Sequence, residues 1–424
     1  YSSMSTFSGN PYFIDLEELH RRGLLTTDEL AAAEEKSPYA CEFERLGAER
    51  LPLLFRAAVR AAQDADTVAA VDAFMSKNPR VAEFCLFMAK RTANGGSAWQ
   101  EWTNDGFDDC VLFAWRFIQY EFFTEWAKVR AYANSKGISV IGDIPFYVAL
   151  DSSDVWGSRS QFLLDRDGRP EWVAGVPPDY FSADGQLWGN PLYDWKHMKA
   201  DGWSFWRDRL TFMLSMFDGI RIDHFRAVES YFAIPGNADT ARDGRWRRGP
   251  GLEFAKMIKD IAGDKLIIAE DLGDDTAKAR VLIEKCGFSG IRVLQFGFTS
   301  GRDMHHRPHS YPAKCAAYTG THDNNPLLGD VYEMPQDCRR ELFDYCGCPD
   351  DFDAACVQII RALMASAADT VILPMQDVLG FGADTRMNRP GIGEGNWTFR
   401  ITYDQLASVD VGRFARMNEL TGRK

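Results

Sequence analysis

Apolar positions are spaced in two different ways along this chain. From about Asp15 to Asn134 they fall at helical intervals, as where Val81, Phe84, Cys85 and Met88 share one face of a predicted helix opened by Asn78 as cap and Pro79 in the first turn. Thr26 and Glu29 in "TTDEL" have the spacing of a capping box. The run from about Cys110 to Asn134 predicts a long aromatic-rich helix, with Gly137 placed to end it. Beyond Gly137 the rhythm changes. Short apolar runs with branched residues recur as "GISVIGDIPFYV", "DGIRID", "KLIIAED", "GIRVLQFGF", "AAYTGTHD" and "DTVILPMQD", and most are separated by helical stretches such as "GLEFAKMIKDIAG".

Near-continuous apolar strands alternating with helices predict an α/β fold with a parallel sheet under a layer of helices. A (β/α)8 TIM barrel with helical insertions fits best, because polar residues gather at the C-terminal ends of the strands, the face where barrel sites form. Six such strands are legible, two short of closure. With no linker and no internal repeat, the chain reads as one domain over 1–424, carrying a helical insertion over 16–110. The segment 171–195, "EWVAGVPPDYFSADGQLWGNPLYDW", holds three prolines and six aromatics at neither period, and is expected to be a structured loop. From the residues alone it either packs its own rings for stability or offers flat faces, with Gln186 and Asn190 at the edge, to sugar rings.

Composition narrows the field. Of 424 residues 46% are hydrophobic, enough for a large core, and the net charge of −13 repels a polyanion, which argues against nucleic acid as a partner. Nine scattered cysteines, with Cys346 and Cys348 the one close pair, suit reduced thiols and a cytoplasmic protein. No apolar stretch approaches the ~20 residues of a membrane span, and the residues from Tyr1 lack a signal-peptide layout, so neither a membrane partner nor export is expected. His305, His306 and His309 have a spacing that suits a metal only on a helix, and Pro308 interrupts it. Neither a metal nor a nucleotide cofactor is expected, since no Gly-rich loop follows a strand.

The polar residues at the strand ends carry the chemistry. In "GIRID" Gly219, Arg221 and Asp223 share one face and Ile220 and Ile222 the other, so Arg221 and Asp223 are directed to the barrel mouth. "VIGD" brings Asp143, "KLIIAED" Glu270, and "YTGTHD" His322 and Asp323. A single acid at a strand end is commonly a helix cap or the partner of an arginine. Four at four ends are harder to explain that way, because like charges brought together cost stability unless the site uses them. Glycoside chemistry uses them: two carboxyl groups about 5 to 5.5 Å apart act as nucleophile and acid/base with retention. Arg221 keeps Asp223 ionised, Glu270 among negative charges keeps its proton, and Asp323 is left to bind sugar hydroxyls.

"GIRIDHFRA", "IIAEDLG" and "YTGTHDN", in that order with "IGDIPFYV" ahead of them, resemble the ordered regions of the α-amylase superfamily. "SGNPYFID", "VAGVPPDYFSADGQLWGNPLYDW", "GRWRRGPG", "VLQFGF", "DTRMNRPG" and "EGNWTFRI" resemble one branch of it, the 4-α-glucanotransferases called amylomaltase or disproportionating enzyme. The resemblance implies transfer of α-1,4-glucan segments between maltooligosaccharides through a covalent glucosyl-enzyme. Asp223 is then the nucleophile, Glu270 the acid/base and Asp323 the residue that clamps the ring hydroxyls. Asp143, Arg221, His224 and His322 match positions around that centre. Phe181, Gln186 and Trp188 match a loop over the acceptor side, Asn388 another position there, and Tyr1 a tyrosine near the sugar. No metal or organic cofactor is implied. The family carries two barrel strands before "SGNP", which accounts for the six legible here.

Asn325 and Pro326 stand where the family usually has "THDND", Ala227 where it has glycine, and Phe232 where it has tryptophan. These departures bear on acceptor binding and chain-length preference rather than on the reaction class. The competing expectations are a hydrolase of α-1,4-glucans and an inactive maltodextrin-binding fragment.

Overall fold

The structure is a computed structural model that describes residues 3–178, 184–273, 276–301 and 303–423. Its strands are β1 (Ile141–Ile144), β2 (Trp172–Val176), β3 (Gln186–Pro191), β4 (Gly219–Ile222), β5 (Ser230–Pro235), β6 (Arg245–Arg248), β7 (Leu266–Ala269), β8 (Ser289–Val293), β9 (Cys315–Tyr318) and β10 (Thr370–Ile372). Six of them form a parallel sheet in the order β1-β4-β7-β8-β9-β10, and each overlaps one of the six runs legible in the sequence. The chain divides into two compact units, one of Tyr1–Glu34, Glu44–Ile267 and Asp274–Leu282, the other of Glu35–Phe43, Ile268–Gly273 and Ile283–Lys424.

The first unit opens with helices. Leu51–Ala61, Ala65–Lys77, Pro79–Ala93 and Asp109–Ser135 enclose a core that includes Leu54, Phe84, Cys85, Phe117 and Ile118. Each fully buried Leu or Phe of this kind contributes roughly 1.5–3 kcal/mol. The capping box is present: Glu29 N–H donates to Thr26 Oγ1 and Thr26 N–H to a Glu29 carboxylate oxygen. Gly137 ends the long helix at φ +75°, a left-handed conformation that suits glycine. Asn78 does not cap the helix it precedes. A single residue separates the two helices there, and the Asn78 amide turns back to donate to Phe74 O at 2.9 Å.

In the same unit β1 and β4 run parallel, with Asp143 in register with Arg221. Asp218 ties their starts together: its carboxylate accepts from Val140 N–H at 2.8 Å and Arg130 at 2.6 Å, and these partners hold it well below the usual carboxylate range. A four-stranded antiparallel sheet, β3-β2-β5-β6, was not expected. It takes Trp172–Val176 and Gln186–Pro191 from the segment read as a loop, with Val176 paired to Gln186. Gly175 permits the close approach, because a Cβ there would sit 2.2 Å from Gln186 O. Phe232, at the position where tryptophan was expected, packs in this sheet's small core with Val173 and Ile234.

The second unit contains the C-terminal half of β7 together with β8, β9 and β10, all parallel. Helices Leu327–Glu333, Gln336–Cys346, Phe352–Met364 and Val411–Thr421 cover a core that includes Val331, Leu342, Ile359 and Leu363. His306 accepts the Val293 N–H through Nδ1 at 2.9 Å, fastening the end of β8.

Candidate active site

Asp223 follows directly on β4, and its N–H still donates to Ile144 O at 3.0 Å, so the strand ladder sets its position. Arg221, two residues earlier on the same face, reaches it: Nη1 lies 2.9 Å from Asp223 Oδ1. The same nitrogen lies 2.8 Å from both oxygens of Asp143. One guanidinium, 11% exposed, therefore serves two carboxylates. The planar guanidinium thus fixes the orientation of both carboxylates.

The residue after the aspartate is strained. His224 has φ 49°, a left-handed value that costs a non-glycine residue roughly 1–3 kcal/mol. The turn aims its imidazole at an aromatic group, with Trp188 edge-on at 4.9 Å and Tyr147 at 6.3 Å between ring centroids. Burial and then the nearby Arg226 charge push the His224 pKa down to about 3, so the ring is neutral at physiological pH. Gln186 and Trp188 lie on one face of β3, and the Trp188 Nε1–H donates to Gln186 Oε1 at 3.1 Å. Trp188 is 38% exposed, leaving a ring face open beside a fixed amide. Tyr147 was not singled out in the sequence, although it lies in "IPFYV" directly after β1.

In the second unit Glu270 comes immediately after β7, where one carboxylate oxygen accepts from Leu272 N–H at 2.9 Å. Its neighbour Asp271 is structural, accepting from Ile291 N–H at 2.8 Å and lying 3.4 Å from Arg292. His322 and Asp323 sit in the loop after β9. Asn388 Nδ2 donates to Asp323 Oδ1 at 2.5 Å, and Asn388 N–H donates to His322 O at 3.0 Å. His322 Nε2 is 3.4 Å from the same Asp323 oxygen. Asn388 thus joins His322 and Asp323 in one polar cluster.

Two residues of this cluster were missed in the sequence. Arg386 donates through Nη2 to Asp323 O at 2.5 Å and through Nε to Asn388 O at 3.0 Å, holding the backbone that carries the carboxylate. Trp397, at φ 63°, places its ring 5.1 Å from His322 and is 40% exposed. A bulky residue at positive φ is uncommon and marks a constrained site. Trp397 lies within "EGNWTFRI", a motif that carries the family resemblance but no site assignment.

Tyr1 and Phe181 lie outside the described residues. Asn325, at a departure from the family pattern, donates to Glu333 Oε2 at 3.0 Å, and Pro326 immediately precedes the helix Leu327–Glu333. Ala227, at another, is fully buried.

The family profile described as 4-alpha-glucanotransferase matches residues 1–406. A 4-alpha-glucanotransferase of Synechocystis is 36% identical over all of this chain and 88% of its own length, and one of Thermus thermophilus 37% identical over the same shares. The amylomaltase from Streptococcus agalactiae, solved in complex with acarbose, superposes with a TM-score of 0.93 at 33% identity, covering all of this chain and 88% of the other. The amylomaltase from Corynebacterium glutamicum, at 17% identity and a TM-score of 0.78, shares the fold over all of this chain and 67% of its own. With a family match across nearly its whole length, this chain belongs to the 4-alpha-glucanotransferases of glycoside hydrolase family 77.

Proposed function

We propose that the chain moves α-1,4-glucan segments between maltooligosaccharides by double displacement, with Asp223 as nucleophile and Glu270 as acid/base. The observation that carries this assignment is the Arg221 guanidinium shared by Asp223 and Asp143, which favours an ionised, oriented Asp223. A carboxylate oxygen of Asp223 attacks the anomeric carbon, the glycosidic bond breaks, and its oxygen takes the proton of Glu270. The glucosyl ester is then attacked by the 4-hydroxyl of a second glucan, whose proton passes to Glu270. Asp223 leaves as carboxylate, and two inversions give net retention.

Asp323, held by Asn388, hydrogen-bonds ring hydroxyls and favours the distorted, oxocarbenium-like state; His322 assists. Neutral His224 can donate one hydrogen bond to the sugar without adding charge beside Arg221. Gln186, Trp188 and the exposed Trp397 ring supply stacking and polar edges along the glucan. The partners are maltooligosaccharides and α-1,4-glucans. Nine free thiols fit a reducing compartment and support a cytoplasmic location. Among the described residues no helix is long and apolar enough to cross a membrane.

The test is incubation of the chain with maltotriose, followed by chromatography. Transfer gives glucose together with a ladder of longer oligosaccharides. Glucose and maltose alone mean hydrolysis, and binding of acarbose without any product means an inactive sugar-binding protein.

A further inference from the structure

The loop from Thr319 to Leu327 carries His322 and Asp323, and both of its ends reach one side chain. Thr319 Oγ1 donates to Asp377 Oδ2 at 2.5 Å, and Leu327 N–H donates to Asp377 Oδ1 at 2.7 Å. Asp377 lies on the short helix Met375–Leu379 just after β10 and is 6% exposed; Thr319 follows β9 and is fully buried. Within the loop Thr321 N–H and Oγ1–H both donate to Asn324 Oδ1, at 2.9 and 2.8 Å, which makes a tight turn around Asp323. On the other flank Gln295 Nε2 donates to Asn325 O at 2.8 Å.

We propose that Asp377 is a positioning residue for the transfer reaction, its one carboxylate fastening both ends of the loop so that Asp323 and His322 are presented at a fixed height above β9. This rests on the reading of Asp323 as the residue that holds the sugar ring. A buried carboxylate costs stability unless its oxygens are bonded, and an apolar residue would fill the same space more cheaply. The two oxygens instead bridge Thr319 and Leu327, eight positions apart, which no other side chain among the described residues is seen to join. Burial pushes the Asp377 pKa up to about 6, so a neutral group of the same shape is tolerated there. Asparagine has that shape: its carbonyl oxygen can accept from Leu327 N–H while its amide donates to the Thr319 hydroxyl.

The test compares Asp377→Ala, which removes both bonds, Asp377→Asn, which can keep both, and Thr319→Val, which removes one, in transfer from maltotriose. Asp323→Asn serves as reference. A displacement of about 1 Å at a reacting centre can cost on the order of 100-fold, so Asp377→Ala is expected to lower kcat by about that factor, with Asp377→Asn recovering at least about 10-fold of it. Thr319→Val is expected to fall between. Combining Thr319→Val with Asp323→Asn is expected to cost little beyond Asp323→Asn alone, because both act through one carboxylate.

Folded Asp377→Ala and Thr319→Val proteins with the kcat of the parent would overturn the proposal. If Asp377→Ala does not fold, the Thr319→Val pair decides: a loss that simply adds to that of Asp323→Asn overturns it. Unchanged transfer by Asp323→Asn itself would remove the reading of Asp323, and the role of Asp377 with it.

Discussion

Arg221 Nη1 lies 2.9 Å from Asp223 Oδ1, and the two residues occupy alternate positions where β4 ends. The register that places Asp143 beside Arg221 lets the same guanidinium meet a second carboxylate. Charge neutralisation and orientation of the proposed nucleophile therefore come from the sheet itself.

Replacing Arg221 by lysine is expected to lower kcat for transfer from maltotriose by about 100-fold, because an ammonium is a point donor and cannot reproduce the guanidinium's geometry between two acids. Steady-state kinetics checks this. A kcat within a factor of about two of the parent would separate Arg221 from the chemistry.

Asn388 and Asp323 give a second expectation. With Asn388→Ala, Asp323 loses its 2.5 Å donor, and kcat is expected to fall by about 10- to 100-fold through looser positioning. Asn388→Asp should be worse than alanine, since it places a like charge against Asp323. Equal rates for the two variants would show that the contact is not part of the working site.

A shielded carboxyl at Asp330 sets a pH dependence. Burial, then Glu333, then Asp377 push the Asp330 pKa up to about 7, and its Oδ2 is shielded with no hydrogen-bond partner among the described residues. The folded chain thus holds a proton at Asp330 that the unfolded chain, near the ordinary value of about 4, has already lost. Stability contributed here is present at low pH and falls as pH rises from about 4 to about 7, by at most about 1.4 kcal/mol per pH unit. Asp330→Asn is expected to stabilise the protein at pH 8 and to leave it little changed at pH 4. Asn325→Asp, which sets a further carboxylate against Glu333, should do the reverse at pH 8. Urea denaturation at both pH values decides, and an Asp330→Asn effect of equal size at both contradicts the assignment.

The six parallel strands were legible as short apolar runs with an acid or amide at the end; β8 and β9 bury every residue, and β4 and β7 all but one. The antiparallel sheet was not. β2 buries consecutive residues Val173, Ala174 and Gly175, and β6 reads "RWRR", so neither shows the alternation that marks a strand. The acids at the strand ends were legible for the same reason as the strands. Arg386, Asp377 and Trp397 were not, because their roles depend on partners distant in sequence: Arg386 reaches Asp323 across 63 positions, and Asp377 reaches Thr319 across 58. Side-chain periodicity carries no record of such contacts, and no residue-type signal reveals the positive φ of Trp397.

The most direct test of Asp223 as nucleophile is to trap its ester. Glu270→Gln is treated with α-maltotriosyl fluoride, whose leaving group requires no acid, so the first displacement proceeds while the second lacks its base. Transfer between maltooligosaccharides should collapse in this variant while binding persists. Peptide mass spectrometry is expected to find a maltotriosyl ester on the peptide that carries Asp223. A stable ester on another carboxylate, or transfer at the parent rate with no adduct, would contradict the assignment of Asp223 and Glu270.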